Sequence, residues 1–158
     1  MSRLVLFFAV LFTFTCVAAS ADELRLPSVF GDHMVLQQGK PVPVWGWTNP
    51  GRKVQVELKH GPGAPVSHFV LADESGHWIV HLPPMQATSD ACSLVVSTIE
   101  TDGSVLERRT FDDVLVGEVW ICSGQSNMDL ALHYTFSKRA LDRAVAAGAY
   151  DNLRLFMY

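Results

Sequence analysis

An apolar run that stops at a turn of small residues places the strongest constraint on the fold of this chain. Val114 to Ile121 is β-branched and apolar with few breaks, a pattern typical of a strand buried on both faces of a parallel sheet. A turn of small and polar residues follows, Ser123-Gly124-Gln125-Ser126-Asn127. The pattern becomes helical at Met128. Strand, tight turn and helix together would expose a serine hydroxyl at the carboxyl edge of a sheet and aim backbone N–H groups at the same point.

Ser126 has two possible roles in such a turn. The first is a capping box with Asp129, in which hydroxyl and carboxylate satisfy N–H groups of the first helical turn. Matches of this length are common, so the spacing by itself favours the cap. The second role is a nucleophile. Ser123 is the alternative nucleophile, but it lies nearer the end of the predicted strand.

Twelve consecutive residues favour the nucleophile: Gly117-Glu118-Val119-Trp120-Ile121-Cys122-Ser123-Gly124-Gln125-Ser126-Asn127-Met128. This run resembles the nucleophile block of the sialate O-acetylesterases, which belong to the SGNH (GDSL-like) hydrolases and are related to carbohydrate acetylesterases. Two upstream segments resemble the start of the β-domain that precedes the hydrolase domain in that family. They are Phe30-Gly31-Asp32-His33-Met34-Val35-Leu36-Gln37 and Pro43-Val44-Trp45-Gly46-Trp47.

The resemblance implies a carboxylic-ester hydrolase that removes O-acetyl groups from sialic acid or another acetylated sugar through a serine acyl-enzyme. Ser126 would be the nucleophile, and its backbone N–H would hold part of the tetrahedral oxyanion. Gly124 would permit the tight turn, and Gln125 and Asn127 would steady the elbow. A glycine and an asparagine elsewhere would complete the oxyanion hole. The resemblance implies no cofactor.

The general base of that family is a histidine in an Asp-x-x-His motif near the end of the domain, and these 158 residues contain no such motif. His133 is four residues from Asp129, but their helix runs away from Ser126, so we expect a surface histidine. A serine without a base is a poor nucleophile. We therefore expect the amino-terminal piece of a longer esterase, inactive by itself unless a partner chain supplies the rest. The alternative is a secreted β-sandwich binding or interaction module with a non-catalytic hydrolase remnant.

The first part of the mature chain consists of short alternating runs separated by turn residues. On one of them Val54, Val56 and Leu58 alternate with polar residues, as on a strand with one wet face. The pattern predicts an all-β sandwich over residues 22–112. The predicted strands are Met34–Gln37, Val42–Trp47, Lys53–Leu58, Ser67–Leu71, Trp78–His81, Cys92–Thr98 and Val105–Thr110.

Residues 113–158 are predicted to be the truncated beginning of a three-layer α/β (SGNH hydrolase) domain. After the turn we expect a short helix, Met128–Leu132, then a helix over Lys138–Ala147 capped by Ser137 and ended by Gly148. Leu141, Ala144 and Val145 fall on one face of that helix. Leu153–Phe156 is predicted to be the next strand.

Residues 1–21 are predicted to be a secretory signal. Arg3 provides the positive end, Leu4–Phe14 the apolar core and Ala19-Ser20-Ala21 the cleavage site. The apolar run is shorter than the roughly 20 residues that a spanning helix needs. We therefore expect no membrane attachment after cleavage, and a lysosomal or extracellular destination. The net charge of −4 and the absence of a basic run argue against a nucleic-acid partner.

Three further sets of side chains are open to more than one interpretation. Trp45 and Trp47 share a strand face and are expected in the core; the alternative is a stacking platform for a pyranose ring, together with Trp78. His77 and His81 share a face but are expected to be surface residues, so no metal site is predicted. Two cysteines follow the signal. These two, Cys92 and Cys122, are expected to be unpaired, with Cys122 buried at a strand end.

Overall fold

The computed structural model describes residues 23–61, 63–126 and 138–157. Within these ranges the chain is mostly β-strand, with one helix near its end. The elements are β1 (Val35–Gln37), β2 (Val42–Trp47), β3 (Lys53–His60), β4 (Val66–Leu71), β5 (His77–Leu82), β6 (Thr88–Ile99), β7 (Val105–Gly117) and α1 (Lys138–Ala146). Each of the seven predicted β-domain strands is present, so the all-β prediction for this part of the chain is confirmed at that level. The predicted signal, residues 1–21, lies outside the described ranges.

The strands form two sheets. Five of them make one sheet in the order β1-β7-β6-β3-β4, and β2 pairs with β5 in a second sheet. Every pairing is antiparallel except that of β1 with β7, which is parallel. The parallel pair joins residues about eighty positions apart, so it depends on the whole intervening β-structure.

Both sheets contribute side chains to one hydrophobic core. On β3, Val54 and Val56 are fully buried while Lys53 is exposed, which confirms the predicted alternation. Val44 of β2 and Trp78 of β5 join the same cluster from the smaller sheet. Trp78 is the largest fully buried side chain, at 1% exposure. Burial of each such aliphatic or aromatic side chain contributes about 1.5–3 kcal/mol to folding.

Gly46 lets two parts of the chain come together under Trp78. A Cβ at this position would overlap the carbonyl oxygen of Arg25 and would lie 2.8 Å from Cζ2 of Trp78. Arg25 and Trp47 exchange main-chain hydrogen bonds of 2.8 and 2.9 Å beside it. The absence of a side chain at Gly46 therefore makes room for both the Trp78 ring and the segment that precedes β1.

The prediction that Trp45 and Trp47 lie in the core is wrong. Strand β2 buries Val42, Val44 and Gly46, so its tryptophans lie on the opposite face. Trp47 is 36% exposed and Trp45 is half-buried. At the inner position next to Trp47, only a glycine leaves room for the Trp78 ring. Burial of Trp78 removes it from the alternative, a stacking platform for a sugar ring, whereas a platform of Trp45 and Trp47 remains an untested alternative.

Strand β7 differs from the predicted strand Val114–Ile121. It runs unbroken from Val105 to Gly117 and is antiparallel to β6, so it does not lie within a purely parallel sheet. Val114 to Val116 are buried as predicted, but Trp120 and Ile121 are 80% and 94% exposed. The strand ends where its partner β1 ends, since no described strand pairs with residues 118–121. The position of the proposed domain boundary, 112/113, lies inside β7, and the division into domains stays a prediction.

Helix α1 confirms the prediction of a helix that ends before Gly148. The Ala149 N–H donates to the Ala144 carbonyl and the Gly148 N–H to the Val145 carbonyl, both at 3.0 Å. Gly148 has a φ of +70°, so these bonds form a Schellman motif. On the predicted face, Leu141 and Ala144 are half-buried and Val145 is exposed. Ser137 and the predicted helix Met128–Leu132 lie outside the described residues.

The segment after α1 does not form the predicted strand Leu153–Phe156. Residues 153–157 have no regular secondary structure, and Leu155 is 86% exposed. A strand needs a partner, and none of the described strands hydrogen-bonds to this segment. No described helix is long and apolar enough to cross a membrane.

Candidate active site

Two of the three sequence segments that carry the family resemblance, the first upstream segment and the nucleophile block, are neighbours in the structure. Strand β1, from the upstream block, lies parallel to the end of β7, where the nucleophile block begins. Val35 is paired with Leu115, and Gln37 with Gly117. The segment that leads to Ser126 therefore leaves the sheet directly beside Gln37.

Three polar side chains meet at the end of this parallel ladder. Gln38 donates from Nε2 to Oε1 of Glu118 at 2.6 Å, and Gln37 donates from Nε2 to Oε2 of Glu118 at 3.2 Å. The other end of the Gln37 amide, Oε1, accepts the main-chain N–H of Val119 at 3.0 Å. We call Gln37, Gln38 and Glu118 the clasp. It joins the last residues of β1 to the first residues after β7.

The clasp lowers the pKa of Glu118 below its ordinary value. The hydrogen bonds from Gln37 and then from Gln38 are the main causes, because both stabilise the charged carboxylate, and the positive charge of Lys40 adds to them. Glu118 is therefore ionised at neutral pH and serves only as a hydrogen-bond acceptor.

A second polar group lies at the opposite end of the ladder. Nδ1 of His33 lies 2.6 Å from Oδ2 of Asp113, and the same oxygen accepts a 3.1 Å hydrogen bond from Nη2 of Arg154. Next to this contact, the Asp112 N–H donates to Oδ1 of Asp32, and the His33 N–H donates to the Asp112 carbonyl. These bonds tie the turn before β1, the middle of β7 and the segment after α1 to one point.

His33 and Asp113 also share an unusual backbone conformation. Their φ angles are +63° and +53°, in the left-handed region that non-glycine residues rarely adopt. Asp113 lies at a bulge, because β7 carries one extra residue between the pairs Leu94↔Phe111 and Cys92↔Val114. Side-chain hydrogen bonds of the kind that His33 and Asp113 form offset the cost of this conformation.

The charge on Asp113 is stabilised where it lies. The hydrogen bond from His33 is the main cause that lowers the pKa of this carboxyl, followed by the positive charge and hydrogen bond of Arg154. Asp113 is thus ionised at neutral pH and holds Arg154, whose Nη1 also donates to the Asp151 carbonyl at 2.8 Å.

The predicted nucleophile lies on an exposed segment. Gly124, Gln125 and Ser126 are all exposed, as is the alternative serine, Ser123. Within the described ranges, no side chain is hydrogen-bonded to the Ser126 hydroxyl. Asn127 lies outside those ranges, so Ser126 is the last described residue before the gap. The catalytic role of Ser126 and the supporting roles of Gly124, Gln125 and Asn127 stay predictions.

Cys122 is exposed, which corrects the prediction that it is buried at the end of a strand. The strand stops at Gly117, five positions earlier, so Cys122 has no sheet to pack against. Cys92 is buried, and burial raises the pKa of its thiol. Both cysteines are free thiols. In the part of the chain that the structure describes, no three His, Cys, Asp or Glu residues are grouped as metal ligands would be.

A shallow cavity of about 340 Å³ borders the parallel ladder. Its lining includes the apolar residues Val35 and Leu115 and the polar residues Thr88, Glu118 and Arg154. The cavity lies between the two polar groups that end the ladder. Sequence reasoning did not identify Glu118, Gln37, Gln38 or the His33–Asp113 pair as a site. Both motif blocks were visible, but spacing alone does not reveal that they pair.

Proteins of known activity match most of the chain. The sialate O-acetylesterase of Mus musculus is 34% identical over 136 residues, which cover 84% of this chain and 24% of that protein. The sialate O-acetylesterase of Homo sapiens is 31% identical over 133 residues, with 83% and 24% covered. The chain therefore spans about a quarter of the length of these curated relatives. No protein-family profile matches it.

A solved structure agrees with the sequence relatives. A carbohydrate acetylesterase from Xanthomonas citri superimposes with a TM-score of 0.62 at 33% identity. The match covers 75% of this chain and 25% of that one. The chain thus spans about a quarter of this solved structure, as it does of the curated relatives. Over the part that it spans, the chain is similar to sialate O-acetylesterases and to a carbohydrate acetylesterase.

Proposed function

We propose that the protein carrying this chain is a carboxylic-ester hydrolase that removes O-acetyl groups from sialic acid or another acetylated sugar. The observation that supports this most is the identity to sialate O-acetylesterases over 84% of the chain. The related carbohydrate acetylesterase of known structure supports the same chemistry. We also propose the finer architecture expected from the sequence, a β-sandwich over residues 22–112 followed by the first part of an SGNH hydrolase domain over 113–158.

Ser126 is the proposed nucleophile. Its oxygen attacks the acetyl carbonyl carbon, a general base takes the hydroxyl proton, and the Ser126 backbone N–H holds part of the tetrahedral oxyanion. Collapse expels the sugar oxygen, which takes the proton, and leaves an acetyl-serine. Water then hydrolyses that ester to acetate and regenerates the hydroxyl. Gly124 permits the turn, and Gln125 and Asn127 steady it.

The general base is proposed to lie outside these 158 residues, because the sequence contains no Asp-x-x-His motif. Loss of general-base catalysis slows acyl transfer by roughly 10²- to 10⁴-fold. The exposed position of Ser126, with no described side chain hydrogen-bonded to its hydroxyl, agrees with this proposal. The reaction as proposed uses neither metal nor cofactor.

The remaining proposals concern the localisation of the protein and its binding partners. Residues 1–21 are proposed to direct it to the secretory pathway, with a lysosomal or extracellular destination. The substrate is the proposed partner, and nucleic acid and membrane are not. No basic run exists in the sequence that would favour either a nucleic acid or an anionic membrane surface.

A second candidate function is a binding or interaction module with a non-catalytic remnant. One observation favours it: the residues of the hydrophobic core all lie between Leu24 and Val116. The described β-structure thus has a core that uses none of the residues after Gly117. A glycan-binding measurement on a Ser126→Ala variant would favour this candidate if affinity for acetylated sugars survived the complete loss of turnover.

The test of the nucleophile is covalent labelling. A fluorophosphonate reacts only with a serine whose oxygen is activated, so we expect the full-length protein to be modified on the peptide that contains Ser126. Ser123→Ala is the matched control, since it removes a hydroxyl from the same turn, and it should label normally. Ser126→Ala should not label. Modification that persists in Ser126→Ala and disappears in Ser123→Ala would transfer the role to Ser123.

A further inference from the structure

We propose that the clasp of Gln37, Gln38 and Glu118 consists of positioning residues, which fix the direction in which the segment leading to Ser126 leaves the sheet. The inference extends the proposed function, on which its kinetic prediction rests. It concerns three side chains that do not touch the substrate in that proposal. They act through the main chain at Val119.

Main-chain hydrogen bonds join β1 and β7 in a regular parallel pattern up to Gly117. The Leu115 N–H donates to the Met34 carbonyl, and the Gln38 N–H donates to the Gly117 carbonyl. In a parallel pair the pattern repeats every two residues. A continued ladder would therefore carry the Val119 N–H to the carbonyl of Gln38.

The Gln37 side chain is inserted between those two groups. Its Nε2 donates to the Gln38 carbonyl at 3.1 Å, while its Oε1 accepts the Val119 N–H at 3.0 Å. One carboxamide thus satisfies the donor and the acceptor that would have paired next. The chain separates from β1 at this point, yet both main-chain groups keep a partner.

Glu118 reinforces the orientation of the Gln37 amide that the Gln38 carbonyl and the Val119 N–H already require. A carboxylate accepts hydrogen bonds and cannot donate them, so the NH₂ end of Gln37 must face Glu118. The oxygen end then faces the Val119 N–H. Gln38 bonds the other carboxylate oxygen and holds Glu118 in place. With a neutral amide at position 118, the NH₂ end of Gln37 would lose its charge-assisted hydrogen bond and be held less firmly.

The segment beyond the clasp has little else to hold it. Residues 118–126 are all exposed, and the Trp120 and Ile121 side chains make no core contact among the described residues. Eight positions separate Glu118 from Ser126, so an error in direction at the start displaces the serine at the end. Displacement of a reacting group by about 1 Å can slow catalysis by about a hundredfold.

The first readout is amide hydrogen exchange in the full-length protein. Gln37→Met keeps the length of the side chain and removes its acceptor, so exchange at Val119 should accelerate by about tenfold or more. The Leu115 amide, bonded to a main-chain carbonyl of the same ladder, should stay protected and report that the sheet is folded. Unchanged exchange at Val119 in Gln37→Met would overturn the clasp.

The second readout is kcat, measured in variants that exchange the glutamine at position 37 and the glutamate at position 118. Gln37→Glu places a carboxylate against Glu118, and Glu118→Gln removes the charged acceptor that holds the Gln37 amide. Each change should lower kcat by about tenfold with KM within about twofold, because substrate binding is untouched. The double variant Q37E/E118Q restores a donor–acceptor pair between positions 37 and 118, although not the bond to the Gln38 carbonyl, and should recover part of the kcat lost in Gln37→Glu. A purely structural role would instead lower the melting temperature without this recovery.

Glu57→Gln is the matched control. Glu57 on β3 accepts a hydrogen bond from Ser67 on β4, and this pair lies away from the β1–β7 ladder. Glu57→Gln should leave kcat unchanged. Suppose that the wild-type protein is active, that Ser126→Ala is inactive and that every clasp variant keeps full kcat. The proposed function then holds, but the proposal that the clasp positions the serine segment is wrong. If the wild-type protein releases no acetate, the proposed function fails, and exchange at Val119 still decides whether the clasp exists.

Discussion

Single polar side chains fix the backbone at both ends of the β1–β7 ladder. At one end His33 and Asp113 hold left-handed backbone conformations and bond to each other. At the other end Gln37 bridges a donor and an acceptor that the ladder leaves open. Each of these side chains substitutes for regular main-chain pairing at a point where the chain departs from it. The segment that carries Ser126 therefore begins at a fixed place.

The Asp113 carboxyl should make stability depend on acidic pH. The pKa of the Asp113 carboxyl in the folded protein lies below its ordinary value. Its contribution to the free energy of unfolding is therefore present above the unfolded-state pKa and is lost as the pH falls through the folded-state pKa. The melting temperature of the wild type should exceed that of Asp113→Asn at pH 7, and the difference should shrink steadily from about pH 5 downwards. Asp90→Asn, at an exposed position of β6, controls for the loss of one surface carboxylate. A difference that grew on acidification would contradict the assignment.

Trp78 and Trp47 should differ sharply in their effect on folding. Trp78→Ala leaves a cavity under Gly46 and should cost about 3–5 kcal/mol in denaturant unfolding. Trp47 lies on the outer face, so Trp47→Ala should cost about 1 kcal/mol. Equal costs would contradict the placement of Trp47 outside the core. If Trp47→Ala also weakened sugar binding, the platform interpretation of Trp45 and Trp47 would gain support.

Among the secondary-structure elements, the strands before β7 could be predicted from sequence because their pattern is local. Alternation on β3 and turn residues between the runs were enough to locate them. The position of Trp47 could not be read in this way, because period two fixes which residues share a face and not which face is inward. For β7, an apolar run resembles a buried strand whether or not a partner exists. The run stops pairing at Gly117 since β1 stops there.

The same distinction applies to the candidate site. The Ser126 turn was found because its twelve residues are contiguous, whereas the clasp joins residues about eighty positions apart. No local pattern specifies that contact. The resemblance identified both blocks, and the three-dimensional structure was needed to bring them together.

The end of α1 provides a prediction for a single element. Gly148 has a positive φ, and a Cβ there would lie 2.9 Å from the Asp151 carboxylate. Gly148→Ala should therefore cost the Schellman motif about 1 kcal/mol and accelerate exchange of the Ala149 amide. The core unfolding transition should not move, because no residue of α1 is buried. Gly63→Ala, where a Cβ meets nothing within 4 Å, is the control. An unaltered Ala149 amide in Gly148→Ala would contradict the cap.

On the scale of the whole molecule, the most exposed apolar side chains among the described residues lie after the end of the hydrophobic core. The core residues lie before Gly117, whereas Trp120, Ile121, Leu155 and Met157 are exposed by 80% or more. Large exposed apolar side chains in one part of a chain are uncommon in a protein that folds without further contacts. This distribution supports the proposal that residues 113–158 belong to a larger hydrolase domain. The chain spans about a quarter of its curated relatives.

The most direct measurement is release of acetate from O-acetylated sialic acid by the full-length protein and its two serine variants. Wild type and Ser123→Ala should turn over at similar rates, whereas Ser126→Ala should lose about 10³-fold or more in kcat, since the acyl-enzyme cannot form. The chain 22–158 should release no acetate in a Ser126-dependent manner. An undiminished rate in Ser126→Ala would contradict the assignment of Ser126 as the nucleophile.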